Sequence, residues 1–163
     1  MEQQLSQKEK MFLEELKSQE DICIQKYNNY ASQTTCPQLK QIFQNHAQTE
    51  QHHFDSLTQI LSGQVPNIQQ SSGNKSNFQQ PDQWEMKKSA SDNQQPADKK
   101  KNEYLCHDAL SVEKYVSGTY DTAIFEFRDP NIRQVLNHIQ SEEQQHGEEL
   151  FNYMHSNGMY PVQ

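Results

Sequence analysis

Apolar residues crowd into two segments, roughly 10–62 and 104–155, and within each they recur at helical spacing. Leu13, Leu16, Glu20, Cys23, Tyr27 and Tyr30 follow one another at alternating steps of three and four. Leu39, Phe43, His46, Glu50, His53, Leu57 and Ile60 do the same. So do Cys106, Ala109, Glu113, Val116, Tyr120, Ala123 and Phe127, and then Ile132, Leu136, Ile139, Glu143, His146, Leu150 and Tyr153. Each series is the stripe of a helix that buries one face in a bundle. The stripes predict helices near 10–34, 37–62, 104–128 and 130–156, with the polar residues 1–9 frayed.

Punctuation agrees with those limits. Thr34-Thr35-Cys36-Pro37 ends the first helix and opens the second, because proline suits a first turn where its missing N–H has no partner anyway. Asp129-Pro130 supplies an N-cap and a first helical residue for the fourth. Ser62-Gly63 and Asn157-Gly158 are C-terminal stops. Residues 64–102 change character: Gln, Ser, Asn, Lys, Asp and Pro dominate, and no period is visible. They read as an irregular crossover linker, long enough to join two helical hairpins along the height of a bundle. Phe78 and Trp84 either pin that crossover to the bundle or sit exposed in it. The predicted fold is therefore all-α. It is a single domain, a four-helix bundle of hairpin 10–62, linker 64–102 and hairpin 104–156.

Composition narrows the partners. Only 32% of the 163 residues are apolar and the mean hydropathy is −1.10, so the buried face must come from the four stripes. A formal charge of −8 argues against nucleic acid and anionic membrane and permits cations. No apolar run approaches the ~20 residues of a membrane span. The start Met1-Glu2-Gln3-Gln4 lacks the basic and apolar regions of a secretion signal, so the chain is expected to stay in the cytoplasm where it is made. Cys23, Cys36 and Cys106 are an odd number without metal spacing and read as reduced or buried thiols.

The chemistry lies where the stripes are broken. Glu20 and Glu113 stand where an apolar residue belongs, and Glu50-x-x-His53 and Glu143-x-x-His146 do the same on the following helices. The two halves superimpose in sequence by a shift of 93 without a gap. Glu20 then meets Glu113, Tyr27 meets Tyr120, Pro37 meets Pro130, Gln41 meets Gln134 and Leu57 meets Leu150. In each half a Glu precedes the Glu-x-x-His by thirty residues, and the midpoint falls at the predicted turn. Antiparallel helices folding about that turn bring the two Glu to one height, with each His ~4.5 Å further along its helix. Joining the halves puts four carboxylates and two imidazoles in one buried layer. Four ionised carboxylates cannot share an apolar core uncompensated. Two divalent cations neutralise them, and Fe, Mn and Zn accept these donors. The expected ligands are Glu20, Glu50, His53, Glu113, Glu143 and His146, the pattern of di-iron and di-manganese carboxylate bundles. The competing reading is a protonated or water-filled polar layer.

Other polar residues carry less. His46 lies on its stripe one turn before Glu50, but its repeat mate is Ile139, which favours a supporting or core histidine over a seventh ligand. Tyr27 and Tyr120 read as core residues with a hydroxyl partner, with a redox role the minor reading. Glu14, Glu15, Glu142, Glu148 and Glu149 fall off the stripes and read as solvated, and His52, His107, His138 and His155 as surface residues.

The ligand pattern resembles the ferritin-like superfamily, which includes ferritins, rubrerythrins and manganese catalases. More closely, Ser111-Val112-Glu113-Lys114-Tyr115-Val116-Ser117-Gly118-Thr119-Tyr120-Asp121-Thr122-Ala123 and Asn157-Gly158-Met159-Tyr160 resemble spore coat proteins of the coat F type, over about residues 104–160. That resemblance implies a ferritin-like bundle deposited in the spore coat, with other coat proteins as partners, and it implies no settled activity. Three functions compete: a coat component stapled by two metals, a di-metal oxidoreductase acting on Fe(II), oxygen or peroxide, and a metal-free interaction module. The long linker also allows exchange of hairpins between chains, giving a homodimer or larger oligomer.

Overall fold

The computed structural model describes residues 4–68 and 94–163. Four helices account for nearly all of them: α1 (Gln7–Gln33), α2 (Pro37–Leu61), α3 (Pro96–Glu126) and α4 (Pro130–Ser156). No strand occurs among the described residues. Each helix has two principal neighbours: α1 packs on α2 and α3, and α4 packs on α3 and α2. Polar pairs between these helices run in opposite directions. Tyr27 meets Glu113 while Tyr120 meets Glu20 between α1 and α3. Between α2 and α4, His46 meets Glu149 while His53 meets Glu142. Facing helices are thus antiparallel around a common axis.

The helix ends follow local chemistry. Pro37 and Pro130 open α2 and α4, and the Asp129 carboxylate accepts from the Asn131 N–H at 2.8 Å. Gly63 and Gly158 close the same helices at φ 88° and 67°, a region that costs a side-chain-bearing residue energy. At Gly158 the chain turns so that the Met159 N–H reaches the Met154 carbonyl at 2.8 Å, which tucks Met159 into the core.

Two limits differ from the sequence expectation. α3 begins at Pro96 rather than near 104, which takes residues 96–102 out of the predicted linker. The segment Pro-Ala-Asp-Lys-Lys-Lys-Asn-Glu has proline at the first helical position, an acid in the first turn and good helix formers behind it. Its apolar stripe is missing, which is why periodicity overlooked it. Asn102 anchors it, buried, accepting from the Thr34 hydroxyl at 2.8 Å. The expected positions of Phe78 and Trp84 lie outside the described residues.

Residues 4–9 are also ordered where fraying was expected. Ser6 caps α1 in a reciprocal box: its hydroxyl accepts from the Glu9 N–H at 3.2 Å, and Glu9 accepts from the Ser6 N–H at 2.7 Å. Glu9 is buried because Arg128, between α3 and α4, holds it through its backbone N–H at 3.0 Å and its guanidinium at 2.9 Å. Glu9 therefore ties the start of α1 to the opposite helix turn.

Two apolar clusters fill the bundle. One gathers Tyr27, Leu39, Phe43, Leu105, Ala109, Leu150 and Met154. The other gathers Leu13, Leu16, Leu57, Ile60, Val116, Tyr120, Leu136 and Ile139. Each fully buried Leu or Ile is worth about 1.5–3 kcal/mol of transfer free energy. On α2, α3 and α4 the residues predicted to form a polar layer fall in the sequence intervals between the clusters, and on α1 Glu20 stands between Leu16 and Cys23 of the second cluster. Cys23, Cys36 and Cys106 are free and buried, as expected.

The Arg128 guanidinium, chiefly, holds the Glu9 carboxyl down at about 2. A lowered pKa contributes stability that is present above the ordinary carboxylate value near 4.5 and is lost as pH falls towards 2. Glu9→Gln is expected to melt below the parent at about pH 6, with the gap closing progressively between about pH 4.5 and 2. Melting curves across that range test it. A gap that stays constant, or widens in acid, contradicts the ion pair as its source.

Candidate metal centre

Glu20 comes from the middle of α1, Glu50 and His53 from α2, Glu113 from α3, and Glu143 and His146 from α4. All six are buried. Each stands on its helix's inward stripe, so the packing that buries the leucines on either side buries these groups too. The six gather into two overlapping sets. Donor atoms of Glu20, Glu50, His53 and Glu143 lie within 4.8 Å of one another, and so do those of Glu50, Glu113, Glu143 and His146. Glu50 and Glu143 are common to both sets. Each set adds one Glu and one His of its own. These are groups of the kind that can hold a metal ion.

The contacts within the layer are close. His53 Nδ1 lies 3.0 Å from Glu50 and 3.0 Å from Glu143, with Glu20 at 3.6 Å. His146 Nδ1 lies 3.3 Å from Glu50 and 3.4 Å from Glu113. Yet Glu20 Oε2, Glu50 Oε1, Glu113 Oε2, both Glu143 oxygens and His146 Nδ1 are buried without a hydrogen bond among the described residues. Buried polar atoms normally find partners, and a concentration of unpaired ones needs a cause.

Tyr27 and Tyr120 brace the layer from opposite helices. The Tyr27 hydroxyl donates to Glu113 and the Tyr120 hydroxyl donates to Glu20, so each half of the repeat steadies the other half's carboxylate. Burial, reinforced by those carboxylates, pushes both phenols up and keeps them protonated as donors.

Without a cation the layer balances itself with protons. Burial drives Glu20 up to about 8, and burial with the charges of Glu50 and Glu113 drives Glu143 up as well. Burial also works to raise Glu50 and Glu113. In Glu50 it is overcome by the neighbouring His146 and His53, and in Glu113 by the neighbouring Glu143 and His146. Both end below the ordinary carboxylate range. Burial opposes charge on the imidazoles, but the carboxylates around them win, raising His53 and lifting His146 to about 9. These shifts lean Glu20 and Glu143 toward the neutral carboxyl, Glu50 and Glu113 toward the carboxylate, and His53 and His146 toward the imidazolium.

Two residues escaped the sequence reading. Glu142, expected in solvent, sits on the outer side of His53, 2.8 Å from Nε2, with His138 3.5 Å from its other oxygen. Glu149 is exposed, as expected, but lies 2.9 Å from His46 Nε2, a pairing the sequence did not signal. Their repeat mates are Thr49 and Ser56, so the duplication gave no signal for either. His46 is buried and stacks on His146 at a centroid distance of 4.0 Å. Of the histidines expected at the surface, His52 and His107 are exposed, whereas His138 and His155 are half-buried. A cavity of about 780 Å³ opens between α2 and α4, and His46, His53, His138, Glu142, His146 and Glu149 line it. The layer is therefore reached from one face of the bundle.

Residues 101–163 match the model of the Coat F domain. That segment covers most of α3 and all of α4, so it holds Glu113, Glu143 and His146 but not Glu20, Glu50 or His53. The Coat F match suggests a spore coat component. No curated protein and no solved structure matches the chain. Among the described residues, no helix is long and apolar enough to cross a membrane.

Removing either tyrosine hydroxyl leaves a buried carboxyl without its donor, at a cost of about 1–3 kcal/mol. Tyr27→Phe is expected to cost more than Tyr120→Phe, because Glu113 is ionised and Glu20 is not in the metal-free state. Urea unfolding in chelator at neutral pH measures both. Equal costs, or the reverse order, would show that the charge distribution in the layer is wrong.

Proposed function

We propose that the chain is a spore coat component whose ferritin-like bundle core holds two divalent metal ions, Fe or Mn in preference to Zn. One observation carries this reading: two four-residue donor sets that share Glu50 and Glu143. Shared carboxylates between two sets, each with one further Glu and one His, are what a pair of neighbouring cations requires. Glu20 and His53 would serve one ion, Glu113 and His146 the other. The residues fit the ions on two counts. The unpaired buried oxygens face one another within the layer, where a cation would satisfy them. Four carboxylates with neutral imidazoles carry the charge that two divalent ions cancel. Tyr27 and Tyr120 orient Glu113 and Glu20 in the manner of outer-sphere partners, and Glu142 does the same for His53 from outside.

A structural role follows from charge balance alone. Two ions bound to donors from all four helices would cross-link the bundle far from its ends, stabilising it only in the folded state. The alternative is a di-metal oxidoreductase, which the cavity between α2 and α4 favours because it meets His53 and His146 from solvent. A redox-active metal pair held by Glu20, Glu50, His53, Glu113, Glu143 and His146 would supply electron-transfer chemistry toward oxygen, peroxide or Fe(II). Oxygen consumption after anaerobic Fe(II) loading separates the two: a coat staple consumes a stoichiometric amount at most, an enzyme turns over. Further copies of the chain and other coat proteins are the proposed partners.

The test is a set of melting curves with and without Mn(II), or with Fe(II) under anaerobic conditions. At about a hundredfold excess over Kd each ion adds about 2.7 kcal/mol, which raises the parent's Tm by roughly 5–10 °C per ion. Glu143→Gln should melt close to the parent in chelator, because burial and the charges of Glu50 and Glu113 already push that carboxyl toward its neutral form. It should lose most of the metal-dependent rise. Glu50→Gln should lose the rise and also melt lower in chelator, because it removes one of the two carboxylates beside His146 and one beside His53. A parent that shows no rise sinks the reading, as do variants that rise as far as the parent.

Acid gives a second check. Donors must shed protons to bind, so metal content is expected to fall between about pH 7 and 4. Elemental analysis after dialysis across that range measures it, and full occupancy at about pH 3 would contradict the proposed ligands.

A further inference from the structure

The donor set is not symmetric, although the repeat that built it is. His46 has no counterpart across the repeat, where Ile139 stands. It is buried, and its Nδ1 makes no hydrogen bond among the described residues. One of its ring nitrogens lies within 4.8 Å of donor atoms of both Glu113 and His146. Its Nε2 is engaged by Glu149 at 2.9 Å. The nitrogen that Glu149 leaves open is therefore the unpaired Nδ1, and the near donors are those of one metal position only. A carboxylate on one imidazole nitrogen and an ion on the other is the usual way a ligating histidine is oriented.

We infer that His46, held by Glu149, is a seventh donor serving the Glu113–His146 position, so the two metal positions differ in affinity. The inference rests on the two-metal reading above. The stack of His46 on His146 keeps the two rings side by side at the inner end of the cavity between α2 and α4. Among the described residues, no comparable third group joins Glu20 and His53: in the same register of the repeat stands the aliphatic Ile139. Glu142 faces His53 but stands on its outer nitrogen, as Glu149 does on His46.

The experiment is an anaerobic Co(II) titration of the full chain, followed by visible absorption, with stoichiometry from elemental analysis. The parent should bind two equivalents in two resolved steps. His46→Phe keeps an aromatic ring against His146, slightly larger than imidazole, while removing both nitrogens. It should weaken one step by about a hundredfold or more and leave the other within about threefold. It should also delete one hyperfine-shifted imidazole N–H resonance from the proton spectrum of the Co(II) protein. Glu149→Gln, a substitution at a half-exposed carboxylate that leaves the fold intact, should weaken the same step by about tenfold. If the parent binds two ions and His46→Phe binds them equally well with every shifted resonance retained, the seventh donor is overturned and the two-metal reading stands. If the parent binds no Co(II), the two-metal reading falls and the seventh donor falls with it.

Discussion

Burial of four carboxylates and two imidazoles in one layer is the constraint on which the rest of this structure depends. An apolar core of four helices tolerates such a layer only when its charge is cancelled locally, because the uncompensated ions would each cost several kcal/mol of desolvation. The surroundings push the pKa values of the four carboxyls apart, Glu20 and Glu143 upward and Glu50 and Glu113 downward, so protons can offset part of the charge. On the proposed reading, two divalent ions would meet that requirement by a different route, with every carboxylate ionised and both imidazoles neutral. The same six side chains serve either state, and the unpaired oxygens show that protons satisfy the charge better than they satisfy the geometry.

The layer also explains why the helices are placed as they are. Donors arrive from all four helices, so no pair of helices can slide by a turn without separating them. The apolar clusters on either side supply the packing energy, and the reciprocal hydrogen bonds Tyr27 to Glu113 and Tyr120 to Glu20 set the register between α1 and α3. At the far end, Glu9 and Arg128 close the bundle where the start of α1 meets the α3–α4 turn. The polar layer is thus held from within and the bundle end from outside.

The two halves have diverged in what surrounds equivalent positions. The Coat F match falls on the second half, while His46, the group that breaks the symmetry of the donor set, belongs to the first. On α4, Glu142 and Glu149 occupy sites whose mates on α2 are Thr49 and Ser56. All the added acid and imidazole groups face the cavity between α2 and α4, so one side of an internally repeated bundle has become the chemical side.

The sequence alone determined the helices, their inward faces and the six residues that meet in the layer. Those are consequences of period and spacing: a stripe fixes which side chains turn inward, and an equal spacing about a turn fixes which of them share a height. It missed the helix over 96–103, because residues there form a helix without an apolar stripe and are anchored by Asn102 rather than by the core. It missed Glu142 and Glu149 for a related reason. Both lie off the stripe, and what recruits them is a histidine on a different helix about a hundred positions away, a distance that only packing closes. The stripe put His46 at the layer, but the approach of one of its ring nitrogens to Glu113 and His146 depends on how α2 settles against α3 and α4. Periodicity reports the face a helix buries; the partner each buried atom meets there is decided by the approach of the neighbouring helices.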